Sequence, residues 1–119
     1  MELGIKGKLA LVTGAGKGIG RSIAEALARE GARLVLVGRT LDLLEAARDA
    51  LPQACGVHQV LCLDLMDEEA IEPEMNGLVK RWGAPEIIVH NVGGSLGVSD
   101  PLAPYADWCN VWRLNIGIP

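Results

Sequence analysis

Short apolar runs alternate with longer stretches of helical spacing along this chain of 119 residues. Leu9 to Val12 is an unbroken apolar run after Lys8, which predicts a strand buried on both faces. In Gly18 to Glu30, Ile19, Ile23, Ala24, Leu27 and Ala28 recur on one helical face, and Gly31 ends the stretch at a place suited to left-handed backbone. Arg33 to Val37 predicts the second strand. Thr40 is placed to cap a helix running to about Leu51, where Pro52 stops it. His58 to Leu63 reads as the third strand. A third helix falls within Asp67 to Trp82. Pro73 and Gly77 inside it predict a kink or a late start, since an interior proline costs roughly 3 kcal/mol. Glu86 to Val89 is the fourth strand, and Ser95 to Pro104 a loop. Asp107 then caps a last helix, which meets the chain end at Pro119.

Strands alternating with helices of this length predict right-handed βαβ units, a parallel sheet and one α/β domain over residues 1–119. Composition agrees: half of the residues are hydrophobic and 22% are charged, enough to bury a core. The net charge of -4 argues against nucleic acid or an anionic membrane as the main partner, since both reward clustered positive charge. The three cysteines, Cys55, Cys62 and Cys109, are odd in number and form no Cys-x-x-Cys pair. They read as reduced thiols of a cytoplasmic protein, with no metal site expected. No apolar run approaches the roughly 18 residues of a membrane span, and residues 1–5 lack the basic and apolar regions of a signal peptide.

Glycine changes the picture most. Gly14, Gly16, Gly18 and Gly20 all lie between Thr13 and Gly20, where the first strand meets the first helix. A turn of this kind needs glycine for a tight bend, for close approach of a phosphate and for close helix–strand packing. The helix start then offers free N–H groups and partial positive charge to a diphosphate. A Walker phosphate loop is excluded, because no Gly-Lys-Ser/Thr follows at its spacing.

The pattern Thr13-Gly14, Gly18, Gly20 resembles the Thr-Gly-x-x-x-Gly-x-Gly of the short-chain dehydrogenase/reductase family. Asp64 after the third strand, Asn91-Val92-Gly93-Gly94 after the fourth and Asn115 in the last helix agree with it in order and spacing. The resemblance runs from about residue 5 to the chain end and is nearest to 3-oxoacyl-carrier-protein reductases and to sugar or carbonyl reductases. It implies a Rossmann-like doubly wound sheet with strand order 3-2-1-4. It also implies a cofactor site containing Gly14, Gly16, Lys17, Gly18, Ile19 and Gly20, with Asp64 and Leu65 at the adenine edge. Asn91, Val92 and Gly93 would line the adenosine ribose. For Asp64, a local cap for the turn that follows is the alternative.

The end of the second strand bears on the choice of cofactor. An acidic residue there would bind the ribose 2′-hydroxyl of NAD and repel a 2′-phosphate. Gly38 stands there instead, with Arg39 next and Lys17 in the glycine turn, so the expected cofactor is NADP(H). Thr40 is read either as a further bond to that phosphate or as the helix cap alone. His90, where the family has asparagine, is read as a strand-end packing or hydrogen-bonding residue.

Family members use a serine and a Tyr-x-x-x-Lys pair, whose lysine lowers the pKa of the tyrosine. The one tyrosine here, Tyr105, is followed at that spacing by Cys109, and it reads as a packing residue in a loop before the last helix. Of the family's catalytic set only Asn115 is present, and the resemblance assigns it to a proton relay through water. The chain therefore reads as the N-terminal, apparently truncated part of a reductase. The parent would move hydride between the nicotinamide and a small ketone or secondary alcohol, and would form a dimer or tetramer. Trp108 and Trp112 suit either a subunit surface or packing within the subunit. The alternatives are a non-catalytic NADP(H)-binding or regulatory module, and a fragment too incomplete to hold the cofactor.

Overall fold

The computed structural model describes residues 3–52, 57–93 and 101–117. Cys55, Gly94 and residues 95–100 of the expected loop lie outside them. The strands are β1 (Leu9–Thr13), β2 (Arg33–Gly38), β3 (Gln59–Cys62) and β4 (Ile87–Val89). The helices are α1 (Gly18–Arg29), α2 (Leu41–Asp49), α3 (Glu68–Trp82) and α4 (Tyr105–Trp112), the last continued by a π-helical turn over Arg113–Gly117. The strands form one parallel sheet in the order β3-β2-β1-β4. This is the Rossmann-like doubly wound arrangement. Leu9 to Thr13 pair residue by residue with Arg33 to Val37, and Ala10 to Val12 with Ile87 to Val89.

Alternation along the central strands explains the layers, because successive side chains point to opposite faces. Ala10, Val12, Leu34 and Leu36 face one way and bury Ala24 and Ala28 of α1 with Leu44 and Ala47 of α2. Leu9, Leu11, Val35, Val37 and Leu61 face the other way, onto Leu78 of α3 with Ala70, Met75 and Trp82 beside it. Both faces are covered, so β1 and β2 read as continuous apolar runs.

His58 is nearly fully buried just before β3. Its Nδ1 accepts the Leu34 N–H at 3.1 Å, and its Nε2 lies 2.7 Å from the carbonyl oxygen of Pro52. With Nδ1 as acceptor, Nε2 carries the proton and donates. The imidazole thus extends the β2–β3 pairing by one position and ties down the chain after α2.

Three local expectations are corrected. First, of the kink or late start expected at Pro73, the late start does not occur: α3 starts at Glu68 and continues through Pro73. Glu68 and Glu69 in its first turn, Lys80 and Arg81 in its last, and its packed apolar face offset the proline's missing bond. Second, Tyr105 is the first residue of α4 and not part of a loop. Third, Pro104 holds the N-cap position expected for Asp107, and its carbonyl accepts the N–H groups of Asp107 and Trp108. His90 follows β4 and is exposed, so it packs in no core.

Candidate functional site

The strand order β3-β2-β1-β4 in the sheet reverses direction between β1 and β4, and open α/β sheets bind ligands at the carboxyl ends of strands beside such a point. A cavity of about 510 Å³ lies there, within the ~300–1,000 Å³ usual for small-molecule sites.

One wall is the glycine turn. Lys17, in extended conformation, precedes α1, and no side chain caps that helix end. The first-turn N–H groups therefore lack the acceptor that a Ser, Thr or Asp cap would supply. Gly18 has φ +61°, and a Cβ there would meet open space. Ile19 is 73% exposed beside it, an apolar side chain facing the cavity instead of the core. The Ala15 N–H donates to the Val37 carbonyl at 3.3 Å, which ties the turn to the end of β2.

Behind the turn the packing is tight. A Cβ on Gly20 would lie 2.2 Å from the Gly14 carbonyl oxygen and 2.6 Å from Asn91 Nδ2, so only glycine fits. Asn91 Nδ2 donates to that carbonyl at 3.3 Å. Thr13 is buried below, and its hydroxyl uses its full capacity of one donor and two acceptor sites. It accepts from the N–H groups of Asn91 (2.9 Å) and Val92 (3.3 Å) and donates to the Val89 carbonyl (3.4 Å). The stretch after β4 is thereby clamped to the end of β1.

The opposite wall comes from the ends of β2 and β3. Arg39 is exposed and lines the cavity, as do Gly38, Leu63, Asp64, Leu65 and Met66. Asp64 Oδ1 accepts the Met66 N–H at 2.9 Å, so the local-turn role is present while the residue also lines the cavity. Leu114 closes the far side.

Of the residues singled out in the sequence, Gly14, Lys17, Gly18, Ile19, Arg39, Asp64, Leu65, Asn91, Val92 and Gly93 meet on this cavity. Gly16, Gly20, Thr40 and Asn115 do not line it. Gly16 sits against Leu43, and Gly20 packs α1 on Gly14. Thr40 occupies the N-cap position of α2 without a side-chain bond, and its carbonyl accepts the Leu44 N–H. Asn115 Nδ2 donates to the Val111 carbonyl at 2.8 Å, while a Cβ on Gly93 would come 2.6 Å from Asn115 Oδ1. Gly93 is thus the point where the last segment touches the cavity wall. Gly38, read in the sequence as the position that decides the cofactor, also lines the cavity, and Val37, Leu63, Met66 and Leu114 line it without having been singled out. The rule that ligands sit at carboxyl strand ends carried the signal for Val37 and Leu63.

The phenol of Tyr105 lies above its ordinary pKa, first because its hydrogen bond with Cys109 holds it in the neutral form and then because a charge on that thiol opposes another. A tyrosine serving as base near neutral pH needs the opposite direction. Among the described residues, no group of three or more His, Cys, Asp or Glu is arranged to hold a metal ion. No described helix is long and apolar enough to cross a membrane.

The sheet, its glycine turn and the cavity at its reversal point set the architecture, and comparison with known proteins gives the family. The pattern of the short chain dehydrogenase family matches residues 8–117, and the chain belongs to that family. It is 45% identical over 91 residues to L-xylulose reductase of Bos taurus, covering 76% of this chain and 34% of the relative. It is 40% identical over 88 residues to sorbitol dehydrogenase of Cereibacter sphaeroides, covering 73% and 33%. L-sorbose reductase of Gluconobacter frateurii, solved as a complex with NADPH and L-sorbose, superposes with a TM-score of 0.86 at 33% identity, over 99% of this chain and 45% of that one. The chain thus spans about a third of the curated relatives it matches, and under half of that solved structure.

Proposed function

We propose that this chain forms the cofactor-binding part of an NADP(H)-dependent oxidoreductase that moves hydride between the nicotinamide and a small ketone or secondary alcohol. The observation that carries the cofactor choice is the placing of Lys17 and Arg39 on one cavity, with Gly38 where an NAD-binding carboxylate would stand. The open space at Gly18, the uncapped start of α1 and the exposed Ile19 fit a bound diphosphate and its adjoining sugar. The relatives that reduce or oxidise sugars and polyols, one solved with NADPH, support the same reading.

When bound, the cofactor would supply the hydride chemistry. The chain's own residues have positional work. The first-turn amides of α1 and the backbone of Gly14 and Gly18 would hold the diphosphate. Lys17 and Arg39 would neutralise the ribose phosphate, with Thr40 beside them. Asp64 and Leu65 would flank the adenine, and Asn91, Val92 and Gly93 the adenosine ribose. Gly16 and Gly20 keep the turn close enough for this. Asn115, braced on Gly93, would hold water for proton transfer. We place the protein in the cytoplasm and expect a homo-oligomeric parent.

Titration with NADPH and NADH tests the reading. The wild-type protein should favour NADPH, and Arg39→Asp should reverse the order, because it replaces an attractive charge with the carboxylate that suits a free 2′-hydroxyl. Unchanged NADPH affinity in that variant would refute the assignment.

A further inference from the structure

Arg113 lies in the π-helical turn after α4, directly before Leu114 and Asn115. Its Nε donates to Glu68 Oε1 at 2.6 Å, and its Nη2 donates to the carbonyl oxygen of Met66. One planar guanidinium thus grips two points of the same segment, the turn after β3 and the first residue of α3. The near side of that segment is fixed by the Leu63 N–H donating to the Gly38 carbonyl at 2.8 Å. Its middle closes on itself, with Asp64 Oδ1 on the Met66 N–H at 2.9 Å and the Asp64 carbonyl on the Asp67 N–H at 3.0 Å. Arg113 fastens the far side.

Asp64, Leu65 and Met66 form the β3 wall of the cavity, and Leu114 faces it from the segment that bears Arg113. We propose that Arg113 is a positioning residue. Through Met66 and Glu68 it sets the distance between the adenosine-side wall and the turn carrying Leu114 and Asn115. This role rests on the dinucleotide reading given above. The Arg113 side chain is about one-third exposed and that of Glu68 65% exposed, so the pair contributes little to global stability. Its effect is local, which makes the role separable from a general loss of fold.

The test compares wild type with Arg113→Gln, Arg113→Lys and Glu68→Gln, using three readouts. The first is amide hydrogen exchange over residues 63–68, which needs no ligand. The second is affinity for NADPH and for adenosine 2′,5′-bisphosphate, which probes the adenosine end alone. The third is the thermal unfolding midpoint. Arg113→Gln should speed exchange over 63–68 and weaken both ligands by roughly three- to tenfold, the scale of one charge-assisted bond, with the midpoint nearly unchanged. Arg113→Lys keeps the charge without the fork and should recover part of the affinity. Glu68→Gln should fall between wild type and Arg113→Gln. A lowered midpoint with unchanged exchange and affinity would make Arg113 merely architectural and overturn the proposal. Faster exchange in the variant, alongside a wild type that takes neither ligand, would overturn the positioning role together with the dinucleotide reading beneath it. Unchanged exchange with a wild type that binds normally would overturn the positioning role alone.

Discussion

The two ends of the described chain are built on opposite principles. In β1 all five residues are buried, and the glycine turn that follows is locked from behind by Thr13, Gly20 and Asn91. In α4 no residue is buried, and in the turn beyond it Leu114 is the buried hydrophobic residue among those described. The glycine-turn side of the cavity is therefore part of the core and cannot move without it. The side bearing Asn115 is a surface segment on which Arg113 bonds Met66 and Glu68, Asn115 Nδ2 donates to the Val111 carbonyl, and Asn115 lies close against Gly93. Rigidity is invested where a ligand's diphosphate would meet backbone amides. Adjustable contacts are left where two walls must be brought to a set spacing.

Gly20→Ala should break that comparison most severely. Alanine is the better helix former, which by itself favours the variant by about 1 kcal/mol. Here the added methyl would meet the Gly14 carbonyl at 2.2 Å, and that atom is backbone and cannot swing aside. Overpacking of this kind costs typically ~1–3 kcal/mol, so the expected outcome is a lower denaturation midpoint and NADPH affinity reduced by at least tenfold. An equally stable variant with intact affinity would mean that α1 slides freely on β1, and the contrast drawn above would fail.

Thr13→Val sharpens the contrast at smaller cost. Valine keeps the shape and removes the hydroxyl, leaving the Asn91 and Val92 N–H groups and the Val89 carbonyl without that partner. Each part-buried group so orphaned costs about 1 kcal/mol or more, unless water reaches it. The denaturation midpoint should fall, and amide exchange at residues 91–92 should rise, while exchange over α4 stays as it was.

The same contrast decides what could be read from the sequence. Strands buried on both faces announce themselves as apolar runs, and the glycine spacing announces the turn, so both are legible from pattern alone; the sheet order and the wall residues Asp64, Leu65, Asn91, Val92 and Gly93 are implied only by the family resemblance. β1 was read one residue short because Thr13 is polar, yet its hydroxyl is satisfied by three backbone groups 76 to 79 residues away. The start of α4 was misread because Asp107 has the chemistry of a cap, whereas Pro104, with φ -54°, already sets the entry angle. The cavity role of Leu114 and the reach of Arg113 depend on contacts across the fold, as in the Arg113–Glu68 pair separated by 45 residues. No local pattern encodes them.

The smallest effect belongs to the surface end. Tyr105, Trp108 and Trp112 line an open groove of about 670 Å³, and Trp112 is 58% exposed. That places both tryptophans on the surface and not in the core of the subunit. Substitutions at such positions usually change stability by no more than ~0.5 kcal/mol, so Trp112→Ser should leave the unfolding midpoint of an isolated subunit almost unmoved. Exposed aromatics on one face are also the residues that self-association would cover. If the homo-oligomer proposed above uses α4, the same substitution should shift sedimentation towards the single chain and make the midpoint depend less on concentration. A destabilised single chain would instead show that Trp112 packs more deeply than its exposure implies, and the division into a core-built end and a surface-built end would lose its second half.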